Sequence, residues 1–339
     1  VEALLIDDWT RGLTTVPTRD VASVSAARQK VREEGARLGL GEEVIGALAI
    51  IVSELANNQL AHAAHGHVAV HPIARAGIMG LEIVAADAGR GIADPTRAFE
   101  GAPRSAGSLG VGLSGVRSLS DELDLDVRLG EGTCVRARKF AAAVPREREV
   151  AILGRPCEGE RVSGDQAGFE RLDGALTVFV VDGLGHGPEA REAADRAVLA
   201  LRQAPGAGGA EVLRRVDAAL SRSRGAVMTV ASLDEAAERL DFAAVGNVMT
   251  QVVRFRGTRM FTGSSFVLGM TQAPPRKVAS EQIPVARGEV LLMWSDGISS
   301  RATIDARRDL IHASAITIAQ HLLESAGRLN DDATVLVAR

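Results

Sequence analysis

A chain of 339 residues is too long for one ordinary core and predicts two domains of roughly 140 to 190 residues each. With 46% hydrophobic and 24% charged residues it has globular composition, and no apolar run approaches the roughly 18 to 20 residues a membrane span requires, so a soluble protein is expected. A net charge of −4 and only 3% aromatic residues leave neither the basic footprint nor the stacking rings that nucleic acid needs, which excludes nucleic acid and membrane as partners. The start, VEALLIDDWTRG, carries two aspartates where a secretory signal carries positive charge, and Cys134 and Cys157 fall in different expected domains; both point to a reducing cytoplasm.

The first elements are helices. Residues 20 to 38 open on Asp20 as a cap, keep Val24, Ala27, Val31 and Leu38 near one face and stop at Gly39; a second helix runs from about Glu42 to Ala64. Strands follow at HVAVHPI and LEIVAAD, then a loop over residues 88 to 107, a helix over about 111 to 121, and a hairpin of LDLDVRLG and GTCVRARKF. This is an α/β sandwich, helices on one face of a mixed sheet. The texture changes at FAAAVPREREV, where small residues, a proline and alternating charges place a linker at 141 to 149 between domains 1 to 140 and 150 to 339.

Three segments of the first half carry chemistry. SELANNQLAHA stacks Glu54, Asn58 and His62, four apart, on one helical face. LEIVAAD ends on Asp87 and runs into AGRGI, where Gly89 and Gly91 permit close backbone approach. SLGVGLSGVRSLSDEL is a glycine-rich loop entering a helix, a cradle for anionic phosphates. In that order the three segments resemble the GHKL ATP-binding fold, and more narrowly the small bacterial serine kinases of the RsbT and RsbW type that act in partner switching. The resemblance covers about residues 18 to 140, and LSDELDLDVRLGEGT is especially similar to the RsbT branch. It implies that Glu54 is the general base, Asn58 a magnesium ligand and Asp87 the acceptor of the adenine amino group. It further implies that Gly89, Gly91, Gly110 and Gly112 surround adenine and phosphates and that Thr133 lies near the base. Ser108 stands where that branch has glycine. The histidines of HAAHGHVAVH (His62, His65, His67 and His71) straddle a helix end without a carboxylate or thiolate companion, and read as surface or phosphate-side residues instead of a metal site.

In the second half FVVDGLGHG places Asp182 among three glycines at the end of an apolar strand. A carboxylate at the head of such a turn repels a phosphate, so it calls for a cation and for further ligands. Asp165 in SGDQ, Asp296 in LLMWSDG and Asp331 with Asp332 in NDDATVLVA supply them. Gathered carboxylates cannot all ionise without cations, and hard divalent ions take several oxygens each, so a two-metal cluster is the economical reading. The boxes DGLGHG, AAVGN, SDG and DDAT resemble the SpoIIE-type branch of the metal-dependent serine/threonine phosphatases, and within it the RsbX-like proteins that lack sensor domains. That resemblance covers about residues 150 to 339 and implies a β-sandwich flanked by helices. It also implies metal binding by Asp165, Asp182, Asp296, Asp331 and the Gly183 carbonyl, with Gly185 and Gly187 tightening the turn and His186 as a neighbour. Asp332 is open between a turn residue and a ligand.

The two resemblances together imply opposed activities on one chain. The first half takes ATP and Mg2+ and phosphorylates a serine or threonine, with Glu54 drawing the hydroxyl proton. The second half holds two Mn2+ or Mg2+ ions roughly 3.5 to 4 Å apart and hydrolyses the phosphoester through a metal-activated water. The expected partners are STAS-domain antagonists or stressosome proteins, with a sigma factor or downstream switch protein as a further partner. Two rivals stay open: a phosphatase whose ATP-binding half only senses nucleotide, and an anti-sigma factor fused to a phosphatase.

Overall fold

The computed structural model describes residues 10, 13–63, 65–101, 112–172, 174–254, 257–270, 277–304 and 307–339. It divides into two compact units, Val1–Glu149 and Val150–Arg339. Gly110 and Ser108 of the expected phosphate loop lie outside the described residues.

In the first unit helix α1 (Val21–Arg37) starts on a capping box: Ser23 N–H donates to Asp20 Oδ1 at 2.8 Å and Asp20 N–H donates to Ser23 Oγ at 3.0 Å. It ends in a Schellman turn at Gly39, φ +70, with Leu40 N–H on Gly35 O and Gly39 N–H on Ala36 O. Helix α2 (Glu42–His62) has the length and hydropathy of a membrane span, more apolar than the sequence reading allowed, but it buries Ile45, Leu48, Ile51, Val52 and Leu55 in the core. Strands β1 (Thr15–Thr18), β2 (Gly66–Arg75), β3 (Ile78–Asp87), β4 (Glu122–Arg128) and β5 (Gly132–Phe140) form an antiparallel sheet in the order β1-β2-β3-β5-β4. Two short helices, α3 (Pro95–Glu100) and α4 (Gly112–Leu119), lie between β3 and β4. The segment expected as loop, 88 to 107, therefore contains α3, which Asp94 caps through Arg97 N–H at 2.9 Å and Pro95 starts.

The period-2 rule separates the two faces of this sheet. Leu81, Ile83, Ala85, Leu123, Leu125, Val135 and Ala137 share one face in cross-strand register. The other bears Glu82, Arg138, Asp124 and Glu122, whose carboxylates bracket Arg138 at 2.5, 2.9 and 3.4 Å. Burial pushes the Glu82 carboxyl up, but Arg138, His71 and Arg136 more than offset it and hold Glu82 well below the usual carboxylate range. His71 thus has a carboxylate companion after all, Glu82 at 3.1 Å, in a structural ion network. Residues 141–149, expected as a linker, are tied into this unit. Arg75 pairs with Glu147 at 2.9 Å, Glu147 N–H donates to Glu122 Oε1 at 3.0 Å, and Arg117 pairs with Glu149 at 2.9 Å.

The second unit is a four-layer sandwich. One sheet runs β6-β15-β14-β11-β12, from β6 (Val150–Arg155), β15 (Ala333–Ala338), β14 (Val290–Trp294), β11 (Met249–Arg254) and β12 (Gly257–Phe261). The other runs β13-β10-β9-β8-β7, from β13 (Ala279–Pro284), β10 (Arg239–Val245), β9 (Ala226–Asp234), β8 (Ala175–Gly183) and β7 (Asp165–Leu172). Strand β8 reads apolar throughout because both its faces are covered: Leu176, Val178 and Val180 point into the inter-sheet core, Phe179 and Val181 against helices α5 (Pro188–Arg202) and α6 (Gly209–Ala219). Helix α7 (Ala315–Ala326), capped by Ser314, packs over β6 and β15. The fold class is mixed α/β, as expected.

Candidate active sites

In the first unit α2 brings Glu54, Asn57, Asn58, Ala61 and His62 to one wall of a cavity of about 680 Å3; α3 and α4 supply the opposite wall with Asp94, Arg97, Gly112 and Ser114. That is the size range of nucleotide and drug-sized pockets. Glu54 Oε2 accepts the Gly112 N–H at 2.9 Å, which ties the candidate base to the first residue of α4. Among the described residues no carboxylate pairs with Arg97 across this wall, so its guanidinium is available to an anion.

Asp87 sits at the end of β3, directly across from Thr133 on β5 and from Gly66 on β2. It is 7% exposed, and burial raises its carboxyl to about 6, with the amides of Gly89 and Thr133 and the nearby His62 pulling the other way. Gly89 N–H donates to Asp87 Oδ1 at 2.9 Å, and a Cβ on Gly89 would lie 2.8 Å from that same oxygen. Gly91 has φ +74, and a Cβ there would meet the Arg128 carbonyl at 2.7 Å. The expected site residues thus fall into two neighbouring groups. Glu54, Asn58 and Gly112 line the cavity; Asp87, Gly89 and Thr133 form the buried strand-end cluster, linked to the cavity through His62. Gln59 was missed. It is 3% exposed, donates to His67 O at 3.1 Å and Ala86 O at 3.0 Å and accepts from Thr18, which fixes α2 on the sheet.

In the second unit Asp165 and Asp182 stand directly opposite each other on antiparallel β7 and β8, on the face turned to the inter-sheet core. Like charges in that position repel, and nothing apolar is gained in exchange. Asp296 follows β14 and Asp331 precedes β15, so four strand ends deliver the four carboxylates to one place. Burial raises Asp182 well above the usual range, and Asp165, Asp296 and Asp331 push it further. Asp165 is raised by burial first, then by Asp332 and Asp296, in spite of the Ser295 hydroxyl donating to its Oδ2 at 2.5 Å. Burial and Asp296 raise Asp331. Among the described residues no three His, Cys, Asp or Glu side chains form a compact ligand cage. The all-oxygen donors are those that hard divalent ions take, so the residues fit such ions. Gly183 is held by its backbone: its N–H reaches Gly164 O at 3.3 Å, and a Cβ would strike Ala190 O at 2.1 Å.

Asp332 is not an exposed turn residue. It is 3% exposed, and its two oxygens accept Cys157 N–H and Gly164 N–H, both at 2.7 Å, which anchors the residue before Asp165. His186 pairs with Glu160 at 2.7 Å, a neighbour as expected. Sequence reasoning passed over Ser295 and Asn247. Thr334 N–H donates to Ser295 Oγ at 3.0 Å, and Asn247 Nδ2 donates to Asp296 Oδ2 at 3.1 Å. The Asn of AAVGN could have flagged the latter.

A model of the histidine kinase-like ATPase domain matches residues 18–139, and a model of stage II sporulation protein E matches residues 172–339. The serine/threonine-protein kinase RsbT of Bacillus subtilis (strain 168) is 38% identical over 117 residues, 34% of this chain and 88% of its own length. The chain belongs to the RsbT kinase family and carries a SpoIIE phosphatase domain joined to it. A structure described under the bacterial stressosome, a modular system adapted to control secondary messenger signalling, is 29% identical with a TM-score of 0.54, covering 57% of this chain and 100% of its own. RsbX in complex with magnesium is 20% identical with a TM-score of 0.51, over 58% of this chain and 96% of its own, and shows the shared fold. The chain is an enzyme that joins a kinase-like ATPase domain to a SpoIIE phosphatase domain.

Proposed function

We propose that one chain runs both directions of a phosphorylation switch on serine or threonine of STAS-domain partner proteins, in a cytoplasmic partner-switching or stressosome pathway. The first unit takes ATP with Mg2+ and the second takes two Mn2+ or Mg2+ ions. When bound, these ions supply charge screening for phosphoryl oxygens and, in the second unit, a water of lowered pKa. Asp87 receives the adenine amino group, Asn58 holds the ion beside the phosphates, and Glu54 accepts the hydroxyl proton of the partner as the phosphoryl group leaves ATP. In the second unit Asp165, Asp182, Asp296, Asp331 and the Gly183 carbonyl hold the dications. Ser295 and Asn247 orient two of those carboxylates, and the Asp332 clamp fixes the strand start.

The observation that carries the kinase half is the position of Glu54 and Asn58 one turn apart on the wall of a nucleotide-sized cavity. The rival in which that half only senses nucleotide draws on the Gly112 N–H held by Glu54, since the same carboxylate links the cavity to α4. The full chain with ATP and a STAS protein, followed on phosphate-affinity gels, separates the readings. Glu54→Ala leaves the partner unphosphorylated, and Asp296→Asn leaves it fully phosphorylated. A parent chain that binds ATP but phosphorylates no STAS protein leaves the sensing reading in its place.

A further inference from the structure

The loop after α6 carries two arginines in SRSRG, and Arg224 reaches the turn that follows Asp182. Its Nη1 lies 2.9 Å from where a Cβ of Gly185 would stand, so Gly185, φ +85, leaves the room that the guanidinium fills. The loop is fastened to that turn by backbone: Leu184 N–H donates to Gly225 O at 3.1 Å. It is also braced within itself. Gly225 N–H donates to Ser223 Oγ at 3.0 Å, and Ser223 Oγ–H donates to Leu220 O at 2.7 Å. Gly225, φ +84, would drive a Cβ to 2.7 Å from Leu268 O, and that restricts the position to glycine.

Among the described residues the only ion pair of this guanidinium is with Glu189 at 2.6 Å, on the first turn of α5. The two side chains are 49% and 72% exposed, and such a pair contributes little and exchanges readily. The turn it touches follows directly on Asp182, which Asp165, Asp296 and Asp331 press upon, so an incoming phosphate dianion meets a field that only cations can offset. A planar fork of N–H donors beside the Gly185 turn is what a phosphoryl group recognises well.

Resting on the phosphatase reading of the second unit, we propose that Arg224 is a substrate-binding residue of that site. It exchanges Glu189 for the phosphoryl oxygens of a phosphoserine or phosphothreonine side chain and for the inorganic phosphate released. Glu189 is its resting partner and competes with substrate.

The test uses the full chain, Mn2+, a phosphoserine peptide and inorganic phosphate as product inhibitor. Arg224→Gln is expected to raise KM for the peptide and the inhibition constant for phosphate by about tenfold, the loss of one charge-assisted contact, with kcat changed less. Arg224→Lys recovers part of both, because the charge stays while the fork is lost. Glu189→Gln lowers KM or leaves it unchanged. Calorimetric Mn2+ binding stays as in the parent in all three. Unchanged KM and phosphate inhibition in Arg224→Gln overturn the assignment. So does a KM raised equally by Glu189→Gln, or a loss of Mn2+ binding, either of which makes the pair a structural support of the turn. A parent chain without activity on any phosphopeptide refutes the phosphatase reading itself, a result separate from these.

Discussion

Asp331 and Asp332 are adjacent, and the structure sets opposite outcomes for replacing each by asparagine. Asp332 is 3% exposed, and both oxygens accept backbone N–H groups at 2.7 Å. Asparagine keeps one acceptor and turns an NH2 group onto the other amide. The loss of one charge-assisted hydrogen bond and the stranding of a buried N–H together cost about 2–4 kcal/mol. Asp331 is half-buried, and its carboxyl is raised by burial and by Asp296. A carboxyl raised in the fold stabilises fully only below its unfolded value, and that contribution is lost as pH rises through the folded one. At pH 7 the native chain therefore carries a repulsion that Asp331→Asn removes, while Oδ1 still accepts Asp332 N–H. Urea unfolding, read from buried Trp294 in a Trp9→Phe background, measures both. In chelator Asp332→Asn lowers the midpoint and Asp331→Asn leaves it equal or higher. Added Mn2+ raises the midpoint of the parent by linkage but not that of Asp331→Asn. Equal destabilisation of the two variants in chelator, or full Mn2+ stabilisation of Asp331→Asn, refutes the division of roles.

Glu54→Gln keeps an acceptor for Gly112 N–H and removes the base, so phosphorylation of a STAS protein falls at least about a hundredfold while ATP binding by calorimetry holds. Retained phosphorylation would mean that Glu54 serves α4 alone. Asp87, raised to about 6 by burial, gives stability that is full below about 3.9 and lost as pH rises through 6. Its ionised form is the better acceptor for an adenine amino group, so ATP affinity falls below pH 6. Asp87→Asn weakens ATP binding by about 1.5–3 kcal/mol and flattens both pH profiles. Phosphatase activity vanishes after chelation and returns with Mn2+ or Mg2+, since carboxylate sites exchange hard ions readily; activity that survives exhaustive chelation contradicts the assignment.

What the sequence disclosed depended on whether a residue broke a pattern. Asp182 stood out because β8 is apolar on both faces, so a carboxylate at its end had no packing explanation. Glu54 and Asn58 stood out because a helix that buries Leu48, Ile51, Val52 and Leu55 had polar groups in helical register. The charges of β4 and β5 were equally visible in LDLDVR and RARK, but alternation tells only that they share a face. That Arg138 is buried and bracketed by three carboxylates depends on neighbours the strand itself does not name.

The pairing of Asp165 with Asp182 was written more plainly than the sequence reading took it. The dipeptide Asp173-Gly174 is a two-residue hairpin signal, and a tight turn there leaves only one register. Asp165 lies eight residues before Asp173 and Asp182 eight after Gly174, so the two must face each other across β7 and β8, as they do. Such a turn turns two distant motifs into one site without any long-range information. No comparable signal distinguishes Asp331 from Asp332. In NDDAT both precede a strand, and which carboxylate turns toward Asp296 and which toward the Cys157 and Gly164 amides is decided by where β6 ends and β7 begins. That choice lives in tertiary packing, and the paired asparagine substitutions read it directly.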